Sequence, residues 1–337
     1  MKTNIEIAGT GVTVPSKRMT NETYVENFKE LGLQDIDKSL DLMESLGRDV
    51  RFIVDKEKDS YFGMAEKAVQ DALTEAKLSA DAIDMVVFVT DTPEYTYPSN
   101  AVILHERAGL KNATYAFDIN SNCTGMLTGI EVVSRFMQSN PRIQNALVVG
   151  AVYASSIIEE TDVFTLPIFS DGASAVVLQK REAEESKGFI DGVFLTESTQ
   201  SEAFRYPAVG FSKVNTEETT LAERTLKLQP VDASFFVEKW VGLVEDVLNA
   251  NGLTKADIGH CFFSQFSKSQ AEETVKELGL SLDKTTYIGH KVGYTGVNSP
   301  IFALNQAIED GKIEQGSYVI MASVGSGYNM SVLLFKY

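Results

Sequence analysis

The stretch that decides the fold is Asp118-Ile-Asn-Ser-Asn-Cys-Thr-Gly125, which follows a strand pattern over residues 113–119. Apolar residues then recur at steps of three and four, namely Met126, Leu127, Ile130, Val133 and Met137, which predicts an amphipathic helix from the cysteine onward. Because a helix start carries partial positive charge and free N–H groups, we expect it to favour the Cys123 thiolate. The turn therefore predicts an acyl-accepting nucleophile.

Small residues surround this cysteine, because Gly125 and Gly129 lack the side chains that would block a substrate or another backbone. The alternative is that Cys123 is a small buried hydrophobe, which is common for free cysteines. Cys261 fits that alternative, since it lies in the apolar run Cys261-Phe-Phe263 without a helix start.

Strand and helix patterns alternate outward from this turn, which indicates an α/β protein. In the first half we predict strands Met85–Val89, Tyr115–Ile119 and 146–152, with helices over 98–108 and after Cys123. In the second half we predict helices over 232–250, 269–278 and 301–308, and strands Ile258–Phe263, 286–288, 318–322 and 330–335.

The order of elements recurs, so we expect two related α/β halves, residues 1–185 carrying the cysteine and residues 186–337 carrying a Gly-rich turn. The polar, Thr- and Glu-rich stretch 198–223 has no clean period and is expected to be a surface loop. Such a loop could lie over an active-site mouth or be plain solvated surface.

The composition excludes several function classes. A net charge of −17 disfavours nucleic acid or an anionic membrane as the main partner, since both bind through clustered Lys and Arg. The longest apolar runs are too short to span a membrane. No signal peptide opens the chain and its two cysteines suggest no disulfide framework, so a cytoplasmic location is expected.

Six motifs in this order resemble β-ketoacyl-acyl-carrier-protein synthase III and its thiolase-fold relatives over nearly the whole chain. They are Gly9-Thr-Gly-Val-Thr-Val-Pro15, Thr92-Pro-Glu-Tyr-Thr-Tyr-Pro-Ser99, the Cys123 turn, Phe169-Ser-Asp-Gly-Ala-Ser-Ala175, Gly293-Tyr-Thr-Gly296 and Val324-Gly-Ser-Gly-Tyr328. The resemblance implies a thiolase-like fold with α-β-α-β-α layers.

The resemblance also implies a chemistry in which Cys123 takes an acyl group from coenzyme A or a carrier protein. The oxyanion hole would be formed by the Cys123 N–H and by Ser326 in the flexible Gly325–Gly327 turn. No tightly bound cofactor or metal is expected. A homodimer is implied, with Tyr97 closing the acyl pocket of the neighbouring subunit, and Phe164 and Phe266 are expected to set the pocket depth.

Two departures from the family pattern alter the expected reaction. Where the family has His-Gln-Ala-Asn, this chain reads Ser264-Gln-Phe-Ser267, and where the family has a second Asn after Gly, it reads Gly293-Tyr294. In the family that His and Asn polarise a malonyl thioester as carbon dioxide leaves. Because Ser264 and Tyr294 offer hydroxyl donors but no base near neutral pH, we expect no decarboxylative condensation.

Asp91 is the strongest candidate for a replacement base, because Val89-Thr-Asp-Thr92 resembles the segment where related hydroxymethylglutaryl-coenzyme A synthases hold an acidic base. A half-buried carboxylate there would have a raised pKa. The alternative is an Asp that caps a loop. Among the histidines, His290 is the best placed, whereas His260 and His105 are expected to be structural or surface residues.

The donor thioester stays open. The family's pantetheine channel has a Trp and several Arg residues, but the single Trp here is Trp240, in a helix of the second half. Arg48 and Arg51 are expected to supply part of a coenzyme A contact, unless they are ordinary surface arginines. Coenzyme A and a phosphopantetheine carrier protein are therefore both possible donors.

Together these features predict an acyltransferase that loads Cys123 and passes the acyl group to an oxygen, nitrogen or carbon nucleophile, in specialised-metabolite or fatty-acid-related biosynthesis. The alternative is a non-catalytic partner subunit that completes a heterodimer with a homologous active synthase. The missing His and Asn disfavour an ordinary synthase that initiates fatty acids.

Overall fold

The computed structural model describes residues 2–229 and 232–337. The strands are β1 Lys2–Thr13, β2 Lys17–Thr20, β3 Val50–Ile53, β4 Met85–Val89, β5 Tyr115–Ile119, β6 Asn145–Val152, β7 Gly172–Ala183, β8 Gly188–Thr196, β9 Phe204–Arg205, β10 Lys227–Leu228, β11 Ile258–Phe263, β12 Tyr318–Gly325 and β13 Asn329–Lys336. The α-helices are α1 Asn21–Glu30, α2 Ile36–Ser45, α3 Tyr61–Ala76, α4 Asn100–Arg107, α5 Gly125–Ser139, α6 Leu221–Arg224, α7 Phe236–Ala250, α8 Lys268–Glu277, α9 Gly289–Val292 and α10 Ser299–Glu309.

A nine-stranded mixed sheet in the order β11-β12-β13-β8-β1-β7-β6-β4-β5 organises the chain. In the first half, β4 pairs in parallel with β5 and β6, and β7 runs antiparallel to β6 and β1. The second half repeats this mixture, because β11 and β12 are parallel while β13 is antiparallel to β12 and β8. The fully buried pattern of β4 fits a parallel strand covered on both faces.

The two halves of the sheet meet at one pair of residues, Ile5 on β1 and Gly188 on β8. A Cβ atom at Gly188 would lie 2.1 Å from the Ile5 carbonyl oxygen, and the φ of Gly188 is 76°. Only glycine allows this approach and this backbone conformation.

Helices cover both faces of the sheet and, in the described residues, produce three large apolar cores beside a smaller one around Tyr24, Phe28 and Met43. Residues of α3 and α4 pack on the outer face of the first half, and α7 and α8 pack on the outer face of the second half. The largest core lies between the halves and contains residues of α5 and α10. This gives the α-β-α-β-α layering expected from the sequence. In the described residues, no helix is long and apolar enough to cross a membrane.

The structure confirms most predicted elements and corrects two. The helix after Cys123 starts at Gly125, because residues Asn122–Thr124 form a 3-10 turn first. The predicted strand over 286–288 is wrong: only Thr285 forms a bridge to Cys261, and the Ile288 N–H is bonded by the Gln265 side chain instead. The predicted boundary at 185/186 falls between β7 and β8 and stays a prediction.

Candidate active site

The Cys123 thiol is held at the junction of β5 and α5 by a local network of hydroxyls. Asn122 has a φ of 47°, an uncommon value for a side-chain-bearing residue, which turns the chain sharply before the cysteine. The Thr124 hydroxyl donates to the Ser121 carbonyl at 2.6 Å, and Ser121 Oγ lies 3.0 Å from the Thr124 hydroxyl oxygen. The thiol itself is half-buried.

The glycines of this helix serve its packing. A Cβ atom at Gly125 would lie 2.5 Å from a methyl group of Val89, and one at Gly129 would lie 3.0 Å from methyl groups of Val89 and Val148. The close neighbours are therefore sheet side chains, which corrects the expectation that these glycines leave room for a substrate. Their absent side chains let α5 lie close against β4 and β6 and fix the depth of the Cys123 turn.

The second half supplies the opposite side of the site through the end of β12 and the following turn. The Ser323 hydroxyl donates to the Cys123 carbonyl at 2.8 Å, and the Asn329 amide donates to Ser121 Oγ at 2.8 Å. A Cβ atom at Gly325 would lie 3.3 Å from the Cys123 nitrogen. Glycine at position 325 thus allows the turn to approach the Cys123 amide, as an oxyanion hole requires.

Ser264 and Tyr294, which are distant in sequence, meet beside the sulfur. The Ser264 hydroxyl donates to the Tyr294 hydroxyl oxygen at 3.4 Å, and Tyr294 and Cys123 line the same cavity. Both side chains are buried, and burial raises the pKa of the Tyr294 hydroxyl well above its usual value. Tyr294 therefore remains protonated and acts as a hydrogen-bond donor.

The Cys123 thiol is protonated at rest, contrary to the expectation from the helix start. Burial, and then the negative charge of Asp91, raise the pKa of the Cys123 thiol to about 12, although the Tyr294 hydrogen bond lowers it. At pH 7 a group with this pKa is ionised in about one molecule in 10⁵. Desolvation outweighs the helix start here, so the thiol needs a base to become nucleophilic.

Asp91 is a carboxylate near enough to influence that thiol. It follows β4, is half-buried, and has a pKa raised to about 6 by desolvation. At neutral pH it is mostly ionised, and its pKa lies close to the operating pH, which suits a general base.

Two cavities adjoin at this site. The first contains the predicted residues Cys123, Phe266, Tyr294 and Gly325–Gly327, the motif residues Phe169, Val324 and Tyr328, and five residues that the sequence did not single out: Gln200, Ala203, Phe204, Leu228 and Phe236. The second contains Asp91, Thr92, Asn120 and Asn122 together with apolar side chains. Phe169 and Phe204 line both cavities, with ring centroids 6.0 Å apart.

Comparison with known proteins agrees with this geometry. A model of 3-oxoacyl-[acyl-carrier-protein] synthase III matches residues 117–198 and a model of its C-terminal region matches residues 248–337, together about half of the chain. The chain belongs to the 3-oxoacyl-[acyl-carrier-protein] synthase III family. The first match to this synthase III family contains Cys123.

Relatives in the synthase III family align over almost the whole chain. The β-ketoacyl-[acyl-carrier-protein] synthase III of Neisseria gonorrhoeae is 28% identical over 334 residues, covering 98% of this chain and 99% of that protein. The enzyme of the same name from Rhodospirillum centenum is 29% identical over 335 residues, covering 98% of each chain. The fold matches the 3-oxoacyl-[acyl-carrier-protein] synthase III of Aquifex aeolicus with a TM-score of 0.84, at 24% identity, covering 99% of this chain and 100% of that one.

The two arginines expected at a synthase III channel mouth lie elsewhere. The Arg48 and Arg51 side chains are fully buried, so they cannot contact coenzyme A at a surface mouth. Arg48 donates to backbone carbonyls, including those of Gln265 and Phe266 at 2.8 and 2.6 Å. The Arg51 guanidinium lies 4.8 Å from the centroid of the Tyr24 ring.

None of the three histidines lines the two cavities. His290 stacks on Tyr287, with ring centroids 6.0 Å apart, and burial lowers its pKa. His260 is buried beside Thr286 at 2.9 Å, and desolvation lowers its pKa to about 4. His105 bonds the Ala113 carbonyl at 3.1 Å. The structure therefore brings Asp91, and not His290, to the cavities beside Cys123.

Tyr97 and Phe164 also lie outside both cavities of this chain. Tyr97 is 86% exposed and Phe164 is 39% exposed. Any contribution of Tyr97 to an acyl pocket would therefore have to be made in a neighbouring subunit, as the family resemblance implies.

Proposed function

We propose that this protein is an acyltransferase that loads an acyl group from a coenzyme A or carrier-protein thioester onto Cys123 and passes it to an acceptor without decarboxylating a malonyl unit. The observation that carries the proposal is the arrangement around the sulfur. Two hydroxyl donors, Tyr294 and then Ser264, occupy the side where the family has Asn and His, and one carboxylate, Asp91, lies near the thiol.

The loading step would begin with the thioester carbonyl oxygen facing the N–H groups of Cys123 and Ser326. The sulfur attacks the carbonyl carbon, the donor thiolate leaves, and the thiol proton passes by way of Asp91 to the leaving sulfur. Burial raises the pKa of the Cys123 thiol to about 12 and the pKa of Asp91 only to about 6, so transfer of that proton to Asp91 before the attack is strongly uphill. The proton therefore leaves as the sulfur attacks and not beforehand.

The second step would transfer the acyl group from Cys123 to an oxygen, nitrogen or carbon nucleophile. Asp91 accepts the proton of the acceptor as the new bond forms, and it returns the proton to the departing Cys123 sulfur. The cavity around Asp91 supports this order, because it adjoins the Cys123 cavity across Phe169 and Phe204 and offers amide groups of Asn120 and Asn122. An acceptor could bind there while the acyl chain occupies the first cavity.

Decarboxylation is disfavoured by the same residues. A hydroxyl at Ser264 or Tyr294 can donate a hydrogen bond to a carbonyl, but neither group supplies a base near neutral pH. Release of carbon dioxide from a malonyl thioester by the pure protein would contradict this part of the proposal.

The experiment is to incubate the protein with a panel of acyl-coenzyme A and acyl-carrier thioesters, measure intact mass and map the adduct. We expect one acyl adduct on Cys123 and none in a Cys123→Ala control. The buried Cys261 serves as an internal control within the same molecule. Absence of an adduct from every donor would refute the loading step.

A non-catalytic partner subunit is the second candidate, and the high pKa of the Cys123 thiol favours it. In that role the chain would complete a heterodimer with a homologous synthase while Cys123 remained a thiol. Co-purification with a co-encoded homologue, together with no acylation of Cys123, would support this candidate over the acyltransferase.

We also propose that the protein dimerises through β5, as the family resemblance implies. This strand is at the edge of the sheet, where it pairs with β4 only, and Tyr115 and Phe117 on it are 38% and 36% exposed. An unpaired edge strand with exposed aromatic residues favours pairing with another chain. A second copy would cover it and bring Tyr97 near the neighbouring subunit.

A further inference from the structure

Arg48 is a fully buried guanidinium in the described structure, where no carboxylate lies within ion-pair distance of it. Its donors are bonded instead by neutral oxygens: the carbonyls of Leu46 at 3.0 Å, Gln265 at 2.8 Å, Phe266 at 2.6 Å and Ile168 at 3.4 Å, and the Tyr287 hydroxyl. Burying an unpaired charge is costly. If Arg48 only filled this space, an apolar side chain would serve as well and the charge would not be needed.

The partners of Arg48 connect the two halves of the chain at the active site. Gln265 and Phe266 follow Ser264 directly, and Phe266 lines the Cys123 cavity. Ile168 precedes Phe169, which lines both cavities. A single side chain of the first half therefore fixes the backbone that carries Ser264 and two walls of the site.

The Arg48 guanidinium also faces the ring of Tyr294, with its central carbon 5.9 Å from the ring centroid. A cation against an aromatic face is attracted to the ring and restricts its position. The same positive charge stabilises negative charge on the phenol oxygen, so it makes the hydroxyl more acidic and a stronger hydrogen-bond donor. Tyr294 lines the Cys123 cavity, and hydrogen bonding from its hydroxyl lowers the pKa of the Cys123 thiol.

We propose that Arg48 is a positioning residue that acts through Tyr294, holding its hydroxyl on the Cys123 sulfur and strengthening that hydrogen bond. This inference deepens the proposed function and rests on it only in taking Cys123 as the reacting thiol. Arg48 itself does not touch the sulfur or line either cavity. Its effect is expected on the ionisation of the thiol and not on the binding of a ligand.

The test measures the rate at which iodoacetamide alkylates Cys123 as a function of pH, in the full chain, with the modified residue mapped by mass. Arg48→Met keeps an unbranched side chain of about the length of the arginine stem but removes the charge and the donors. We expect alkylation to slow about tenfold at every pH below the thiol pKa, because the Tyr294 hydrogen bond to the thiolate weakens. Arg48→Lys keeps the charge and should restore part of the rate.

A double-mutant cycle separates this role from general loosening of the site. In the Tyr294→Phe background the hydroxyl is already absent, so adding Arg48→Met should change the rate less than twofold. Arg107→Met is the matched control. The Arg107 guanidinium also faces an aromatic ring, at 5.5 Å from the centroid of Phe62, and Arg107 lines neither cavity. Iodoacetamide should alkylate Cys123 of that variant at the wild-type rate.

Two results would overturn the inference: a wild-type rate in folded Arg48→Met, or an equal slowing by Arg48→Met with and without the Tyr294 hydroxyl. If Arg48→Met does not fold, Arg48→Gln decides, because it removes the charge but keeps hydrogen-bond donors, and a wild-type rate in that variant would overturn the inference. Alkylation requires no acyl donor. Failure of acyl loading would therefore leave this test intact, and the two proposals can fail separately.

Discussion

Replacing Asp91 by Asn should change two properties of Cys123 in opposite directions. In the wild type the negative charge of Asp91 helps to raise the pKa of the Cys123 thiol. A charge within ~4–6 Å typically shifts a pKa by about one unit or more, and the thiolate fraction at fixed pH changes tenfold per unit. We therefore expect Asp91→Asn to react about tenfold faster with a small pyridyl disulfide at pH 8.

Acyl transfer should respond in the opposite way. Asp91→Asn cannot accept a proton, so transfer to an acceptor should fall by about 10²–10⁴-fold, the usual contribution of a general base. Loading of Cys123 should slow less than transfer, because the more acidic thiol offsets about tenfold of the lost base catalysis in that step. The acylated form of the variant should therefore accumulate, which intact mass detects directly.

The pH dependence provides the control. The carboxyl of Asp91 has a pKa of about 6, so in the wild type it loses its charge as pH falls through 6. The rate advantage of Asp91→Asn should be present above pH 7 and should disappear below about pH 5, where both side chains are neutral. Slower disulfide reaction in the variant at pH 8, or a ratio that does not depend on pH, would refute the electrostatic reasoning.

Three further changes test other parts of the site and its setting. Gly325→Ala places a methyl group 3.3 Å from the Cys123 nitrogen. This variant should load acyl groups about 10–100-fold more slowly without unfolding. An unchanged loading rate would show that the turn is not part of the oxyanion hole. Ser264→Ala removes a long 3.4 Å hydrogen bond to Tyr294. The rate of Cys123 alkylation should therefore fall less than about threefold. A fall of more than tenfold would mean that Ser264 acts on the thiol itself and not only through Tyr294. Phe117→Asp on the edge strand should convert a dimer to monomers in size-exclusion chromatography with light scattering; an unchanged mass would contradict pairing through β5.

The sequence was sufficient for the layered fold and for the meeting of distant residues, because these follow from ordered motifs along the chain. Ser264 and Tyr294 are separated by 29 intervening residues, yet their correspondence to two positions of one family site placed them together. Strands with a strong apolar run, such as β4 and β11, were also predicted at their observed bounds.

Properties that depend on the removal of water from a side chain, such as the pKa of a thiol, could not be predicted from the sequence. A helix start predicts an acidic Cys123, but the surrounding side chains remove water from the thiol and reverse the direction of its pKa. Arg48 and Arg51 resemble surface residues in sequence. Their burial depends on carbonyls and aromatic rings that only the tertiary structure brings together.

The same argument explains the incorrect strand at 286–288. The β-branched and aromatic residues of this segment have strand propensity. However, neighbouring side chains hydrogen-bond its polar groups, which takes the place of pairing with a strand. Gln265 accepts from the Ile288 N–H at 2.7 Å, and Thr286 Oγ1 lies 2.9 Å from a ring nitrogen of His260. Side-chain competition of this kind leaves no periodic signal.

The bonds from Ser323 to the Cys123 carbonyl and from Asn329 to Ser121 join the two halves of the sheet at the reacting thiol. Neither half contains a complete site by itself. Heat that separates the halves would therefore dismantle the thiol turn and the facing turn in one event, so inactivation should coincide with unfolding and not precede it. The temperature at which activity is lost is then set by the interface between the two halves. Substitutions that strengthen the contact of β1 with β8 would raise that temperature without altering the chemistry.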